Sequence, residues 1–378
     1  MEERGMSILG SRAKEQAWID LAAELSAKFA LTAAETDRQA ELPAANLQEL
    51  FDQGLDTAIL PEEKGGAGLS YSAFGRIVFE IARGCPSTAC VWLMNTSAAE
   101  SLISLSSPER SEHYLREWKG GKRFANALSE PSSGNLFLNP VQEATPLGDG
   151  DWRLDGAKRF VSGAELADYY LINASIDGQP AFFGVERDGT VEIHDIWDAL
   201  GMRGTRSQLI GFRGTRLKAA NRFSPVPSTR QNLIALGLPW LSLGIAQAAY
   251  DALIAQAQGK KLADGKPLSH VQWIQYETAD VYVRLKAAKL LAGHLLELAD
   301  AGADETVFVA MEAKILANQI AKDVADLGLR VGGGLAFTRA LPFERHLRDA
   351  QAGGLMAYSS ELCRLYVAKN ELNVREQG

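Results

Sequence analysis

The chain has 378 residues, 46% of them hydrophobic and 23% charged, with a net charge of -8. That length exceeds one ordinary compact core, so two or three packed units are expected. The acidic balance, with no dense Lys/Arg stripe, argues against nucleic acid or an anionic membrane surface as a partner.

Residues 1–120 read as a helical unit. AKEQAWIDLAAELSAKFA and LPAANLQELFDQGLDTAIL both place apolar residues at helical spacing. LPEEKGGAGLS breaks the pattern, and helices are expected again through YSAFGRIVFEIARG and the largely apolar TACVWLMNTSAAESLISL. Residues 121–228 change texture: WRLDGAKRFVSG, ADYYLINASI, PAFFGVERDG, TVEIHDI and QLIGFRGTRL are short and rich in β-branched and aromatic residues. Gly, Asp and Asn separate them, which predicts an antiparallel β domain. Residues 229–378 return to long helical units, with Asp304 a candidate N-cap for DETVFVAMEAKILANQIAKDVADLGLRV. The predicted class is therefore α+β and multidomain. Long helices that are apolar over more than one face predict burial against partner subunits as well.

Cys85, Cys90 and Cys363 show no CxxC spacing, which fits a reducing compartment better than a disulfide scaffold. The N-terminal stretch MEERGMSILGSRAKEQ has no apolar signal core. No run approaches the ~18 uninterrupted apolar residues of a membrane span. The expected location is cytoplasmic. The five histidines show no metal-ligand spacing, so no metal is assigned.

Four stretches carry candidate chemistry. ALSEPSSGN crowds Ser129, Ser132, Ser133 and Asn135 into a tight loop; it can hold the polar edge of a heterocycle or a phosphate, or be only a turn. In GAKRFVSGAELAD, Phe160, Val161 and Ser162 offer an aromatic wall and a hydroxyl, or a core aromatic. LGMRGTRSQLIGF places Arg203 and Arg206 to clamp an anion or to sit at a solvated strand entry. RVGGGLAF ends a helix with Gly332, Gly333 and Gly334, which permit close backbone approach or serve as a plain C-cap.

In this order, with LPEEKGGAGLS, WDALGMRGTRSQ, RVGGGLAFTRALPFERHLRDA and SSELCRLYVAK, the stretches resemble the acyl-CoA dehydrogenase family of flavoproteins over residues 15–372. The resemblance implies an N-terminal all-α domain, a middle β domain and a C-terminal four-helix bundle, assembled as a homotetramer or homodimer. It implies flavin contacts at Leu128, Ser129, Phe160, Val161 and Ser162, at Ser359 and Glu361, and at Gly333 and Gly334 with Arg330 in place of the usual glutamine. Lys261 falls at the family's diphosphate-binding arginine and Asp264 at its phenylalanine. A lysine meets a phosphate as a point charge rather than as a fork. FAD is the implied cofactor, with FMN or a diffusible reduced flavin as alternatives.

The catalytic carboxylate of the family falls at Ala357, within a substrate-side run of Met356, Ala357 and Tyr358. The position from which a minority of members supply the base is Ile234, beside Ala235. A positioned carboxylate contributes typically ~10²–10⁴-fold to proton abstraction, and neither alanine nor isoleucine replaces it. Tyr358 is mostly neutral at pH 7, and Glu361 matches a cofactor-side position. The expected function is a flavin-dependent oxidoreductase acting on an acyl thioester or related small molecule. The alternatives are a reduced-flavin-dependent monooxygenase on the same fold and a non-catalytic flavin-binding paralogue. An electron-transfer flavoprotein or a flavin reductase is the implied redox partner.

Overall fold

The computed structural model describes residues 2–132, 134, 137–223 and 231–374, with side chains from residue 13 onward. Helices come first: α1 (Glu2–Gln39), α2 (Ala44–Asp52), α3 (Tyr71–Gly84), α4 (Pro86–Leu105) and α5 (Pro108–Lys119). Strands follow: β1 (Phe124–Ala127), β2 (Thr145–Pro146), β3 (Trp152–Val161), β4 (Tyr169–Ile176), β5 (Gln179–Glu186), β6 (Val191–His194) and β7 (Gln208–Leu217). The chain then returns to helices: α6 (Leu233–Gly259), α7 (Gln272–Asp300), α8 (Thr306–Gly332), α9 (Phe343–Ala352) and α10 (Ser360–Glu371).

Three local expectations are corrected. The helical reading of residues 42–60 shortens to Ala44–Asp52, because the chain turns at Gly54, where φ is +79°. Asp304 is not the cap of α8; the helix opens at Thr306, whose hydroxyl donates to the Ala303 carbonyl (2.6 Å). The middle domain is not wholly antiparallel. β2, β3, β7 and β6 form an antiparallel sheet, but in the second sheet, ordered β1-β4-β5, β1 runs parallel to β4. The chain between those two strands crosses through the other sheet, and a parallel pair requires such a long crossover.

The inner faces of the two sheets meet in one buried cluster that includes Leu154, Val161, Ile210 and Phe212 with Ala125, Tyr170, Ile172 and Phe183. A larger helical core joins the N-terminal helices to α6, α7, α8 and α9. Among the described residues, α6 alone is long and apolar enough to cross a membrane, and 72% of its apolar window is buried inside the protein. Burial on all sides accounts for that composition.

Polar ties fix the domains against each other. The Asp300 carboxylate, closing α7, accepts the backbone N–H groups of Tyr71 (2.6 Å) and Ser72 (3.1 Å) at the start of α3, where a helix N-terminus favours negative charge. On α9, the Arg348 guanidinium forks onto both Asp37 oxygens of α1 (2.8 and 2.6 Å) and reaches the Leu200 carbonyl (3.0 Å). Next to it, Asp349 accepts the Met202 N–H (2.7 Å). One helix thus holds both the first helix and the middle domain.

The crossing of α3 and α6 depends on Gly244, where an added methyl would stand 2.5 Å from the Ala82 Cβ and 2.7 Å from the Phe79 carbonyl. Gly244→Ala should therefore lower stability by about 1–3 kcal/mol through overpacking. Denaturant unfolding followed by circular dichroism measures this, and an unchanged midpoint would contradict the close crossing.

Candidate functional site

The loop that follows β1 is anchored from within. Glu130 is fully buried and pairs with the equally buried Lys158 of β3 at 2.7 Å. The same carboxylate accepts the Val141 N–H (2.9 Å), and the Lys158 ammonium also donates to the Asn173 side-chain oxygen on β4 (2.9 Å). Burial pushes the Lys158 pKa down from the usual lysine range, against the pull of Glu130. Because the Arg159 N–H bonds the Ser129 carbonyl (2.8 Å), the half-buried Leu128 and Ser129 lie directly beside the end of β3.

At that end the strand is irregular. Its pairing with β7 shifts between Lys158 and Val161, and Phe160 adopts φ +60° with 55% of its surface exposed. A bulky residue in the left-handed region is uncommon and carries strain that the surroundings must hold. The bulge turns Phe160 outward, so the core-aromatic alternative does not apply. The Arg159 guanidinium lies over its ring (4.9 Å), and Trp197 meets it edge-on (6.4 Å). The Trp197 indole nitrogen is buried, with no hydrogen-bond partner among the described residues. Val161 points into the sheet core. Ser162 is buried; its hydroxyl shares a hydrogen bond with Ser207 (2.8 Å), which in turn meets Thr205 (2.8 Å). Beneath it, burial pushes the Cys90 thiol up to about 12, with the Ser162 hydroxyl opposing.

The second wall comes from the loop between α9 and α10. Ala357 has φ +52° and, with Met356, packs half-buried against the helical core, as does Ile234 in the first turn of α6. Tyr358 contacts Phe137 (ring centroids 5.2 Å) and Tyr366 (6.2 Å), so the loop touches the segment that follows Pro131. Ser359 caps α10 by accepting the Leu362 N–H (3.2 Å). Glu361 faces outward, 76% exposed, beside Arg364. Ser133 and Asn135 lie outside the described residues.

The remaining predicted residues stand elsewhere in the chain. Lys261 is exposed on the turn between α6 and α7. Arg330 pairs with Glu277 (3.3 Å) and lies over Trp273, near the end of α8. Gly333 has φ +63°, and both it and Gly334 have open space where a Cβ would project. Residue 332 is 14 positions beyond Asn318, which supports the Ala357 loop; that is ~21 Å along a helix. The chain therefore assembles two groups, not one. Arg203 and Arg206 do not clamp an anion here: Arg203 donates to the Asp37 carbonyl (2.9 Å), and Arg206 pairs with Glu165 (2.6 Å) and Asp195 (3.0 Å).

Sequence reasoning missed two buried lysines of this region, Lys158 and Lys314. Lys158 stands at the inward parity of β3 with Leu154, and Lys314 lies in the stripe Ala310, Ala313, Ala317, Ala321 of α8. A lysine at an apolar-stripe position is a sequence signal. No group of His, Cys, Asp and Glu suited to a metal ion occurs among the described residues. A half-exposed aromatic ring at a strand end can stack a planar heteroaromatic ligand.

Models of the acyl-CoA dehydrogenase N-terminal, middle and C-terminal domains match residues 12–122, 125–215 and 229–372. The chain is 29% identical over 351 residues to the bovine (Bos taurus) mitochondrial short-chain specific acyl-CoA dehydrogenase, covering 89% of this chain and 84% of that one. It is 27% identical over 353 residues to the 3-sulfinopropanoyl-CoA desulfinase of Paraburkholderia xenovorans, covering 89% and 90%. Butyryl-CoA dehydrogenase from Megasphaera elsdenii shares the fold with a TM-score of 0.88 at 24% identity, over 95% of this chain and 98% of that one. FMN-bound TdsC from Paenibacillus sp. A11-2 does so at 0.86 and 23%, with the same coverage.

Removing one member of the Glu130–Lys158 pair leaves an unanswered buried charge. Lys158→Met should cost about 3–5 kcal/mol, and the double change with Glu130→Leu should recover much of it. Chemical denaturation of both single variants and the double variant measures this, and a double loss equal to the sum of the single losses would show that the pair does not act as a unit.

Proposed function

Because this chain belongs to the acyl-CoA dehydrogenase family, we propose that its flavin chemistry acts on an acyl thioester or related small molecule without a carboxylate at the usual base position. The observation that carries this reading is Ala357, in its left-handed loop, with Ile234 at the alternative position. Bound flavin, FAD in this reading, supplies a two-electron redox centre. The chain's own residues bind and orient: Phe160 offers its open face, Leu128 and Ser129 line the edge, and Ser162 fixes the strand end through its hydroxyl chain. Val161 contributes backbone alone. Met356, Ala357, Tyr358 and Ile234 exclude water from the reacting face, which favours charge-sensitive chemistry.

Lys261, Arg330, Gly333 and Gly334 serve a flavin held across a subunit contact in a homotetramer or homodimer, and the outward-facing Glu361, beside the Ser359 cap, adjoins it. Exposed Trp273, Leu335 and Phe337 near that end of α8 supply apolar area for such a contact. Electrons would pass to an electron-transfer flavoprotein.

A second reading, a reduced-flavin-dependent monooxygenase fed by a flavin reductase, is favoured by the apolar Leu355–Met356–Ala357 run. The FMN named with TdsC leaves FMN open as the cofactor here. The desulfinase named above acts on an acyl-CoA by a reaction other than dehydrogenation, which supports a thioester whose chemistry dispenses with the base.

The test is the visible spectrum of the purified holoprotein during anaerobic titration with acyl-CoAs. Bleaching by one of them supports the thioester reading, and Ala357→Glu should then raise the bleaching rate by ~10² or more. No bleaching by either protein, with oxygenation of a small molecule when reduced flavin and dioxygen are both supplied, would replace the first reading with the second.

A further inference from the structure

Beneath the Ala357 loop lies a polar cluster that the proposed chemistry does not use. Lys314 of α8 is buried and donates to the Gly353 carbonyl. Asn318, one turn on, donates to the same carbonyl (2.9 Å) and to the Ser360 hydroxyl (3.2 Å), while its oxygen accepts from Ser242 of α6 (2.7 Å). Gly353 itself has no room for a side chain: a Cβ would stand 2.4 Å from the Asn318 oxygen and 2.5 Å from the Ser242 hydroxyl. Helix α8 therefore supplies both donors to one carbonyl at the root of the loop, and Asn318 links that point to α6 through Ser242 and to α10 through Ser360. A lysine in an apolar stripe loses side-chain freedom and hydration when buried, so its place here calls for an interaction that a smaller apolar residue would not make.

We propose that Lys314 is the positioning residue of the substrate-facing loop, holding residues 353–359 through the Gly353 carbonyl so that Met356, Ala357 and Tyr358 keep their places. This rests on the proposed function for what the loop faces, but not for the tether itself. Burial pushes the Lys314 pKa down to about 8. The titratable groups around it are Cys363 and Glu361 of α10, which favour its charge, and Lys322 of its own helix, which opposes it. From α6, the Ser242 hydroxyl donates to the cluster through Asn318.

The sign of the pH dependence follows by linkage. When the loop opens, the amine is hydrated and its pKa returns toward the ordinary lysine value. The open state then binds more protons between pH 8 and about 10, so the closed loop is favoured as pH rises through that window. Below pH 8 the ammonium is charged in both states and the balance is flat.

Hydrogen exchange on the flavin-loaded protein tests the tether through the Leu355, Met356 and Ser360 amides, which are bonded within the loop. In Lys314→Met they should exchange about tenfold faster at pH 7, from the loss of the hydrogen bond to the Gly353 carbonyl, while the amides of α7 stay protected. In the wild type, loop protection corrected for intrinsic rate should rise from pH 8 to pH 10, and this rise should vanish in the variant. If Lys314→Met does not fold, the same comparison is made on Lys314→Gln, in which loop exchange should likewise speed up and its pH dependence vanish. Loop exchange that is unchanged or slower in the variant, or wild-type protection flat across the window, overturns the proposal. With butyryl-CoA as probe, KM should rise about tenfold while kcat moves less. If wild-type flavin responds to no acyl-CoA, the thioester reading fails, but the exchange result still judges Lys314.

Discussion

The buried pair of Glu130 and Lys158 is the constraint on which the middle of the molecule depends. Both side chains are fully buried beside the apolar cluster of the two sheets, where the Val141 N–H and the Asn173 amide add to the pairing. In such a medium an unpaired charge is very costly. The loop after β1 therefore cannot drift from β3 without exposing that cost, and Asn173 extends the constraint to β4. The pair thereby ties the loop to one place along β3. It fixes Ser129 against Arg159 and so fixes the strand end that carries Phe160.

From that fixed point the outward turn of Phe160 follows. Regular alternation from the inward Leu154 and Lys158 would send residue 160 inward as well; the bulge turns it out at a left-handed φ, with Gly163 absorbing the return of the chain at φ +70°. A methyl at Gly163 would stand 2.8 Å from a Val91 methyl, so β3 ends in close contact with α4. The strain at Phe160 is balanced by packing that is helical on one side and hydroxyl-linked on the other, through Ser162, Ser207 and Thr205. The α9 ties at Arg348 and Asp349 do the same at the scale of domains, holding the middle domain and the bundle at one separation.

Much of this was legible in the sequence because burial writes itself as periodicity. The strand texture of residues 152–217 located β3 to β7, and the long helical runs located α6, α7 and α8. What escaped was short or locally ambiguous. β1 has four residues and β2 two, too few to show alternation, and α5 is a polar surface helix with little apolar stripe. The parallel pairing of β1 is a property of chain crossover, which no local window contains. At the site, resemblance supplied the positions, but not their surroundings: that Phe160 is open, that Val161 is core, and that Arg203 and Arg206 are committed to structure are results of packing. Lys158 and Lys314 were legible in principle, as charges in apolar stripes.

The packing around Ala357 also bears on whether a neighbour could supply the proton acceptor that the alanine lacks. Tyr358 is held between Phe137 and Tyr366, and burial raises its pKa above the ordinary phenol value, which makes it a poorer base at neutral pH. Glu361 lies beyond the Ser359 cap, on the exposed first turn of α10, and reaching the loop interior would mean unwinding that turn. Lys314 is behind the loop, directed at a backbone carbonyl. Glu361 and Lys314 are thus turned away by interactions that would have to break first, and burial keeps Tyr358 as the neutral phenol. On the proposed reading, the reaction suited to this pocket is one whose proton inventory is met by the substrate or by flavin, and the apolar loop contributes exclusion of water and a fixed shape.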